Sequence, residues 1–478
     1  MKNESSQEKI RVRFAPSPTG MFHIGTARTA LFNYLFAKKN KGEFVLRIED
    51  TDLEKSDKKY EKNIIECMEW LGLKWDKGPF RQSERNDIYE KYIKKLLDSE
   101  QAFYCNHTKE ELEKEKKEQM SSGQAPKHIC EHRNKGLKKG IIRFHCSEEK
   151  IVFNDLIKDK LEFDGSLFGD IGIARDEKTP LYNLAVVIDD GEMEISHVIR
   201  GEDHISNTPK QILILRALGF KEPKYAHMPL TLGSDKTKLS KRHGATSITE
   251  YKKDGYLPEA MINFMVFLGW HPGQGEEKEV FSLEELIKEF SLEKVNKSNA
   301  IFNIEKLDWY NSHYIKKMDL DELTKKCLPY LNLNNKDSSP LAQNDIASSQ
   351  NDIKKIIALE QERIKKLSEI EDLTKFFFVD KLDYSAELLI WKKMTLEEVK
   401  NNLNILEKTL SKTEKFDQKS LEDTLMPLTK ECGVGELLWP LRVALTGQKA
   451  SPGPFEIMEI LGKKRTLKRI KEAMDKSK

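Results

Sequence analysis

The chain has 478 residues, too many for one hydrophobic core, so roughly two to four domains of about 100 to 200 residues are expected. Lys and Arg total 81 and Asp and Glu 79, and a net charge of +2 excludes a histone-like or tail-driven nucleic-acid binder, leaving only local basic patches. No uncharged run approaches the roughly 20 residues needed to span a bilayer, and Met1 to Ile10 is polar and mixed in charge, which points to the cytoplasm.

The first 50 residues read as a βαβ unit: a strand over Arg11 to Ala15, a Pro/Gly turn over Pro16 to Gly20, a helix over about Ile24 to Lys39 and a strand over Glu43 to Ile48. The helix carries Ile24, Ala27, Leu31, Tyr34 and Leu35 at helical spacing, which predicts one face buried against a parallel sheet of the nucleotide-binding type. Residues 1–104 are taken as the first half of that α/β domain. Residues 105–180, with a charged helix over Lys109 to Gln119 and short strands around 141–144 and 151–156, read as an insertion between the two halves. A strand-rich stretch over Leu181 to Ile199, then a helix from Thr208 to Gly219, is the expected second half, 181–225. Residues 226–318 hold a lysine-bearing loop, Gly233 to Gly244, and several short helices. Residues 319–478 form a helical module with Ile353, Ile357, Ile364 and Leu367 on one stripe, interrupted by the polar linker Asn332 to Asp352. In its last helix Lys463, Lys464, Arg465, Lys468, Arg469 and Lys471 form a basic cluster that could track phosphates or be a solvated helix face.

Arg13-Phe-Ala-Pro-Ser-Pro-Thr-Gly20 is followed by Met21-Phe-His23-Ile-Gly25-Thr26. A strand ends there and a helix begins, so free N–H groups and the helix dipole favour an anion. His23 is placed to donate to a phosphate oxygen, and Gly25 leaves room for a nucleotide against the backbone; plain helix capping by His23 is the simpler alternative. Downstream, Lys238-Leu-Ser-Lys241-Arg242 lies in a loop with Asp235 and Gly244. Two lysines close together suit charge that appears during a reaction, such as a leaving pyrophosphate, with Lys241 the first choice.

With both elements in one chain and in this order, the sequence resembles the class I aminoacyl-tRNA synthetases, and more closely the bacterial glutamyl-tRNA synthetases. His23-Ile-Gly-Thr26 is similar to the HIGH signature and Lys238-Leu-Ser-Lys-Arg242 to KMSKS. Thr26 replaces the last His of the first motif, and Leu239 and Arg242 replace Met and the final Ser of the second. Ala15-Pro-Ser-Pro-Thr-Gly20, Arg47-Ile-Glu-Asp-Thr-Asp52, Arg200-Gly-Glu-Asp-His204 and Leu441-Arg-Val-Ala-Leu-Thr-Gly447 through Ser451-Pro-Gly453 also resemble the family's own segments.

The resemblance implies a Rossmann-type parallel sheet with an inserted acceptor-end domain and an all-helical anticodon-binding region. It implies a monomer that uses ATP and Mg2+ to join L-glutamate to tRNA-Glu through a glutamyl-adenylate, and tRNA-Gln as well in organisms that later amidate the product. Carried over by motif position, His23, Gly25, Lys238 and Lys241 would serve ATP and catalysis. Arg13 and Arg200 would hold carboxylates and Glu49 the ammonium, with Ala15, Ser17 and Tyr182 completing the pocket. Arginine suits a planar carboxylate by two-pronged hydrogen bonding, and glutamine would leave an arginine partly unpaired. Two Cys-x-His pairs, Cys105/His107 and Cys130/His132, supply two thiolates and two imidazoles for a Zn2+ ion. Arg363 and Arg442, on the helical module, are the candidate tRNA contacts, since single-stranded bases need isolated Arg or aromatic residues, not a large positive field.

Overall fold

The structure is a computed structural model and describes residues 9–52, 54–237, 239, 247–273, 277–331 and 350–477. Two compact units divide it: one runs through Lys252 and takes up Leu257–Leu307, and the other comprises Lys253–Tyr256 and Asp308–Lys478.

In the first unit, strands β1 (Arg11–Phe14), β2 (Glu43–Ile48) and β3 (Lys77–Arg81) alternate with helices α1 (Ile24–Lys39) and α2 (Lys58–Trp70). After α3 (Asn86–Asp98) come β4 (Ala102–Cys105), α4 (Lys109–Ser121), β5 (Ile141–His145), β6 (Lys150–Asp155), β7 (Asp159–Asp164) and β8 (Asp170–Ala174). Helix α5 (Tyr182–Glu192), β9 (His197–Gly201), α6 (Thr208–Leu218) and β10 (Lys224–Met228) complete the sheet-forming part. The seven-stranded sheet has the order β3-β2-β1-β9-β10-β6-β7 and is parallel except for β7. From β1 the chain moves outward to β2 and β3 on one side, and later returns to lay β9 and β10 on the other. That reversal of strand order opens a crevice at the carboxyl ends of the strands, the place where open α/β sheets bind ligands.

The segment between the halves is shared between two sheets. Strands β4, β5 and β8 pair antiparallel as a separate sheet, while β6 and β7 extend the main one. Helices α5 and α6 cover a core that includes Ile142, Phe144, Leu184, Val187, Ile188, Val198, Ile212 and Leu215.

Two expectations are corrected here. Leu181 to Ile199 reads as strand-rich because of its Val-Val-Ile composition, but residues 182–192 are helical. Leu184 to Asp190 are all buried, so the helix is apolar nearly all round, and its composition carries no helical period. Helix α1 likewise buries more than the expected single face, with Ala27, Ala30, Phe32, Asn33 and Ala37 among its buried residues. Asn33 reaches inward to donate to the Ile199 carbonyl at 3.0 Å, tying α1 to β9. The α6 boundaries match the expectation: Pro209 stands in its first turn, and Gly219 takes a left-handed conformation (φ 75°) that ends it.

The second unit is helical, with helices Leu320–Cys327, Gln350–Glu360, Glu369–Phe378, Leu396–Lys412, Gln418–Leu425, Val434–Thr446 and Pro454–Lys476 among its described residues. Ile353 and Ile357 lie on one helix, whereas Ile364 and Leu367 fall in the turn after it; all four are buried. Most of the polar linker, residues 332–349, lies outside the described residues.

Two members of the basic cluster in the last helix, Arg465 and Arg469, face the protein, whereas Lys464, Lys468 and Lys471 are exposed. Arg469 is 2% exposed and donates to the carbonyls of Phe376 (2.5 Å), Val379 (2.9 Å) and Leu445. Arg465 donates to Phe377 and Val379 carbonyls at 2.9 and 3.2 Å. Both guanidiniums satisfy carbonyls around the end of Glu369–Phe378, so they hold the bundle together. Arg469→Ala is expected to lower the stability of this unit by ~3 kcal/mol, as two or more charge-assisted hydrogen bonds to carbonyls are lost. A urea midpoint that does not move would contradict that role.

Candidate active site and metal centre

The carboxyl ends of adjacent strands carry a line of ionisable side chains: Arg47 and Glu49 at β2, Arg13 at β1, Arg200 at β9, His227 at β10 and Asp155 at β6. All six are buried. Strand ends aligned by parallel pairing present their side chains at one sheet edge, which is why residues so distant in sequence meet here.

Asp190 of α5 binds two of these cations. Arg13 approaches it through Nε at 3.1 Å and Nη2 at 3.3 Å, and Arg47 through Nη1 at 2.7 Å. Arg47 also donates to Glu49 Oε1 at 3.0 Å. Burial opposes ionisation of Asp190, but Arg13 and Arg47 outweigh it and hold its carboxyl below the usual aspartate range. On Glu49, burial prevails over Arg47 and Arg13 and raises the carboxyl. Neighbouring Asp189, fully buried, is satisfied by Gln82 (2.8 Å), Arg85 (2.7 Å) and Tyr89 (2.9 Å).

Arg200 differs from Arg13 and Arg47 in having only neutral partners. Its Nε donates to His227 Nε2 at 3.2 Å, and its Nη2 to Thr208 Oγ1 and Gln211 Oε1, each at 2.8 Å. Its Nη1 is buried without a hydrogen-bond partner. Burial accordingly lowers the Arg200 pKa. Tyr182 donates or accepts at His204 Nδ1 (3.0 Å), and its ionisation responds to Glu49, Arg200, Arg13 and Asp190 after burial, which puts it among the same charges. Ala15 and Ser17 lie on the turn after β1, which is tied to β2 by the Glu49 N–H donating to the Pro16 carbonyl at 2.9 Å.

His23 is the N-cap of α1, in extended conformation. Its Nδ1 accepts from the Thr26 N–H at 3.3 Å, and Thr26 Oγ1 lies 2.8 Å from its Nε2. The capping alternative thus holds in this geometry, and Thr26 fixes the ring. A Cβ on Gly25 would stand 3.3 Å from two ring atoms of His23, so glycine here makes room for the imidazole as well as for a ligand. Lys238 and Lys241 lie outside the described residues. Nearby, Asp235 caps its turn by accepting from the Thr237 N–H and hydroxyl at 2.9 and 2.7 Å.

The Cys/His residues come together between β4, α4 and the loop before β5. The ligand atoms of Cys105, His107, His128 and Cys130 all lie within 4.8 Å of one another. His132 adjoins this group, its ring 4.4 Å from that of His107, and clusters with His107 and Glu131. Its Nδ1 accepts from the Asn106 N–H at 3.3 Å. His128, absent from the sequence expectation because it sits outside the Cys-x-His pairs, donates from Nδ1 to Glu115 Oε2 at 2.6 Å. Its Nε2 is buried with no partner. A carboxylate on one imidazole nitrogen and an unsatisfied lone pair on the other is the usual support of a metal-binding histidine, so the donor set fits a tetrahedral zinc ion.

In the helical unit, Arg363 pairs through Nη1 with buried Glu360 Oε2 at 2.7 Å, and Arg442 has a buried Nε without a partner. Sequence reasoning missed Asp190, Asp155 and His227. Two adjacent aspartates after the apolar run Leu184 to Ile188 were the available signal, since buried carboxylates require cations.

Comparison with known proteins identifies the family. The family model described as tRNA synthetases class I (E and Q), catalytic domain, matches residues 9–309, and the anticodon binding domain model matches residues 322–474. The chain belongs to the class I tRNA synthetases of the E and Q type. Within them its relatives are glutamate–tRNA ligases. Glutamate--tRNA ligase 2 of Thermoanaerobacter pseudethanolicus is 44% identical, with 98% of each chain covered. The glutamate--tRNA ligase of Carboxydothermus hydrogenoformans is 42% identical over 96% of this chain and 99% of its own. A crystal structure of a glutamate tRNA ligase from Elizabethkingia meningosepticum in complex with its amino acid superposes with a TM-score of 0.86 at 34% identity, covering 98% of this chain and all of that one.

Replacing Asp190 by Asn leaves Arg13 and Arg47 buried without their shared carboxylate, at an expected cost of ~3 to 5 kcal/mol at neutral pH. Because the Asp190 pKa is depressed in the folded state, its contribution is complete above the ordinary aspartate value of 3.8 and is lost as pH falls through the folded value. The gap between wild type and Asp190→Asn in urea melts should therefore persist across neutral pH and close only in acid; a gap that closes at higher pH would refute the assignment.

Proposed function

We propose that this chain activates L-glutamate with Mg·ATP at the carboxyl edge of its parallel sheet and transfers the glutamyl group to the 3′ end of tRNA-Glu. The observation that carries this reading is Arg200: a buried cation with only neutral partners and one N–H2 group unsatisfied, close to Arg13 and Tyr182, which in turn lies near Glu49. An incoming carboxylate supplies the missing countercharge, and an amide does not. Glu49 would take the ammonium, Ala15 and Ser17 would line the pocket, and the α-phosphate would lie by His23 and Gly25 at the start of α1. No protein nucleophile is needed: the substrate carboxylate attacks the α-phosphate, and Lys238 and Lys241 stabilise the departing pyrophosphate. Arg363 and Arg442 are proposed tRNA contacts.

Cys105, His107, Cys130 and one of His128 and His132 would hold zinc. The ion would be structural, with a closed set of protein ligands. We further assign the enzyme to the cytoplasm as a monomer; no helix among the described residues is long and apolar enough to cross a membrane.

Glutamate-dependent pyrophosphate exchange in the presence of tRNA should fall by ~100-fold or more in Lys241→Ala, the scale on which one preorganised charge acts in a transition state. Charging assays on purified tRNA-Glu and tRNA-Gln then fix the acceptor: failure on both overturns the reading, and charging of both establishes dual specificity. Purified protein should contain about one zinc per chain and lose it in the Cys105→Ser/Cys130→Ser double variant, in line with thiolate ligation. Metal-free wild type would sink the zinc assignment.

A further inference from the structure

Behind Arg200, on the side away from its unpaired nitrogen, stands a chain of buried polar groups that the reaction itself does not call for. His227 lies directly opposite Arg200 in the parallel pairing of β10 with β9, and Asp155 ends the next strand, β6. His227 Nδ1 is 2.6 Å from Asp155 Oδ2. A carboxylate only accepts, so the proton lies on Nδ1 and the Nε2 lone pair is left to accept from Arg200 Nε. Asp155 is itself immobilised: its oxygens accept from the backbone N–H groups of Ile157 (2.9 Å), Lys158 (2.8 Å) and His227 (3.1 Å). The far side of the guanidinium is fixed by Thr208 and by Gln211, whose own amide donates to Asn183 Oδ1 at 3.0 Å.

We propose that Asp155 and His227 are positioning residues for Arg200, and that the tautomer Asp155 imposes on His227 sets the enzyme's discrimination of glutamate from neutral analogues such as glutamine.

The geometry gives the pair a task beyond filling space. An arginine has five N–H donors in one rigid plane, so fixing Nε and Nη2 fixes the direction of Nη1. His227 does this without placing a carboxylate in contact with the guanidinium, which would satisfy the cation before substrate arrives. Burial lowers the His227 pKa, the bond to Asp155 opposes that and Arg200 adds to it, and with Nε2 accepting from Arg200 the ring carries its one proton on Nδ1. A neutral acceptor backed by a remote carboxylate thus holds Arg200 in place while leaving its charge uncompensated at the pocket. An acidic ligand gains from that charge and an amide gains much less.

This inference rests on the reading of Arg200 as a carboxylate ligand, and steady-state kinetics on the full-length enzyme with tRNA separate the two. His227→Leu should raise the KM for glutamate by about 10- to 100-fold, the weight of a hydrogen bond to a charged group. KM for ATP should stay unchanged, and the preference for glutamate over glutamine should narrow by a similar factor. His227→Gln, whose carbonyl oxygen reaches the place of Nε2, should recover the wild-type KM to within about threefold if the acceptor is what matters. If His227→Leu does not yield folded protein, Asp155→Asn carries the same test. Equal changes in both KM values, an unmoved glutamate/glutamine ratio, or no recovery in His227→Gln overturn the positioning role. A normal KM for glutamate in Arg200→Lys instead overturns the reading of the pocket; a raised one there beside a normal one in His227→Leu refutes the pair alone.

Discussion

The Asp190 carboxylate is the interaction on which the catalytic unit's geometry turns. It accepts from Arg13 at the end of β1 and Arg47 near the end of β2, and so fastens helix α5 to two adjacent strands at the sheet's carboxyl edge. Removing four charged groups from water costs several kcal/mol each, and the cost is offset only while every member keeps its partners. Rotation of Arg13 or Arg47 out of place would expose an uncompensated charge in the interior, so their positions are more sharply defined than apolar packing would define them. Glu49, held by the same Arg47, inherits that precision. The site is thereby built before any ligand arrives, which is the condition for catalysis by positioning and fixed charge.

Against this balanced quartet, Arg200 is left deliberately incomplete. Its neutral partners satisfy two nitrogens and orient the fork, but they do not neutralise it. In a buried site the difference between a ligand that brings a carboxylate and one that brings an amide is larger than in bulk water, because the local dielectric is lower. The same sheet edge thus holds buried arginines in two settings: Arg13 and Arg47 paired with a carboxylate, and Arg200 with neutral partners only.

What the sequence made legible follows the range of the interactions involved. The βαβ start, helix α6 with its Pro209 and Gly219 punctuation, and the helical second unit rest on local spacing and turn chemistry, and these were readable. Helix α5 was not, because an element buried all round has no polar face to set its period, and Val186, Val187 and Ile188 favour strand by composition. Arg13, Glu49 and Arg200 could be singled out only through the family resemblance; their meeting depends on strand order, which spacing does not encode. Arg465 and Arg469 show the converse failure. Composition makes a basic cluster look like a surface track, whereas two of its members face carbonyls at a helix end inside the bundle.

The Cys/His region shows how the same fold treats a segment that cannot be held by burial. Helix α4 buries none of its residues, and beside the Cys/His group the apolar cluster is small, Phe103, Cys105 and Cys130. Its ends are secured by polar devices instead. A capping box joins Thr108 and Glu111, Asp170 accepts from the Cys130 N–H at 2.7 Å and from Arg133 at 2.6 Å, and Glu115 reaches from α4 to His128. Each such link is worth only about 1 kcal/mol net, too little to order some thirty residues against their conformational entropy. The cluster of thiols and imidazoles lies where strand, helix and loop converge, a point at which a bound metal ion would add to the stability of the fold. The two polar centres of this unit thus differ in one respect: charge is balanced internally at Asp190, whereas Arg200 Nη1 and, in the Cys/His cluster, His128 Nε2 are buried polar atoms without a hydrogen-bond partner.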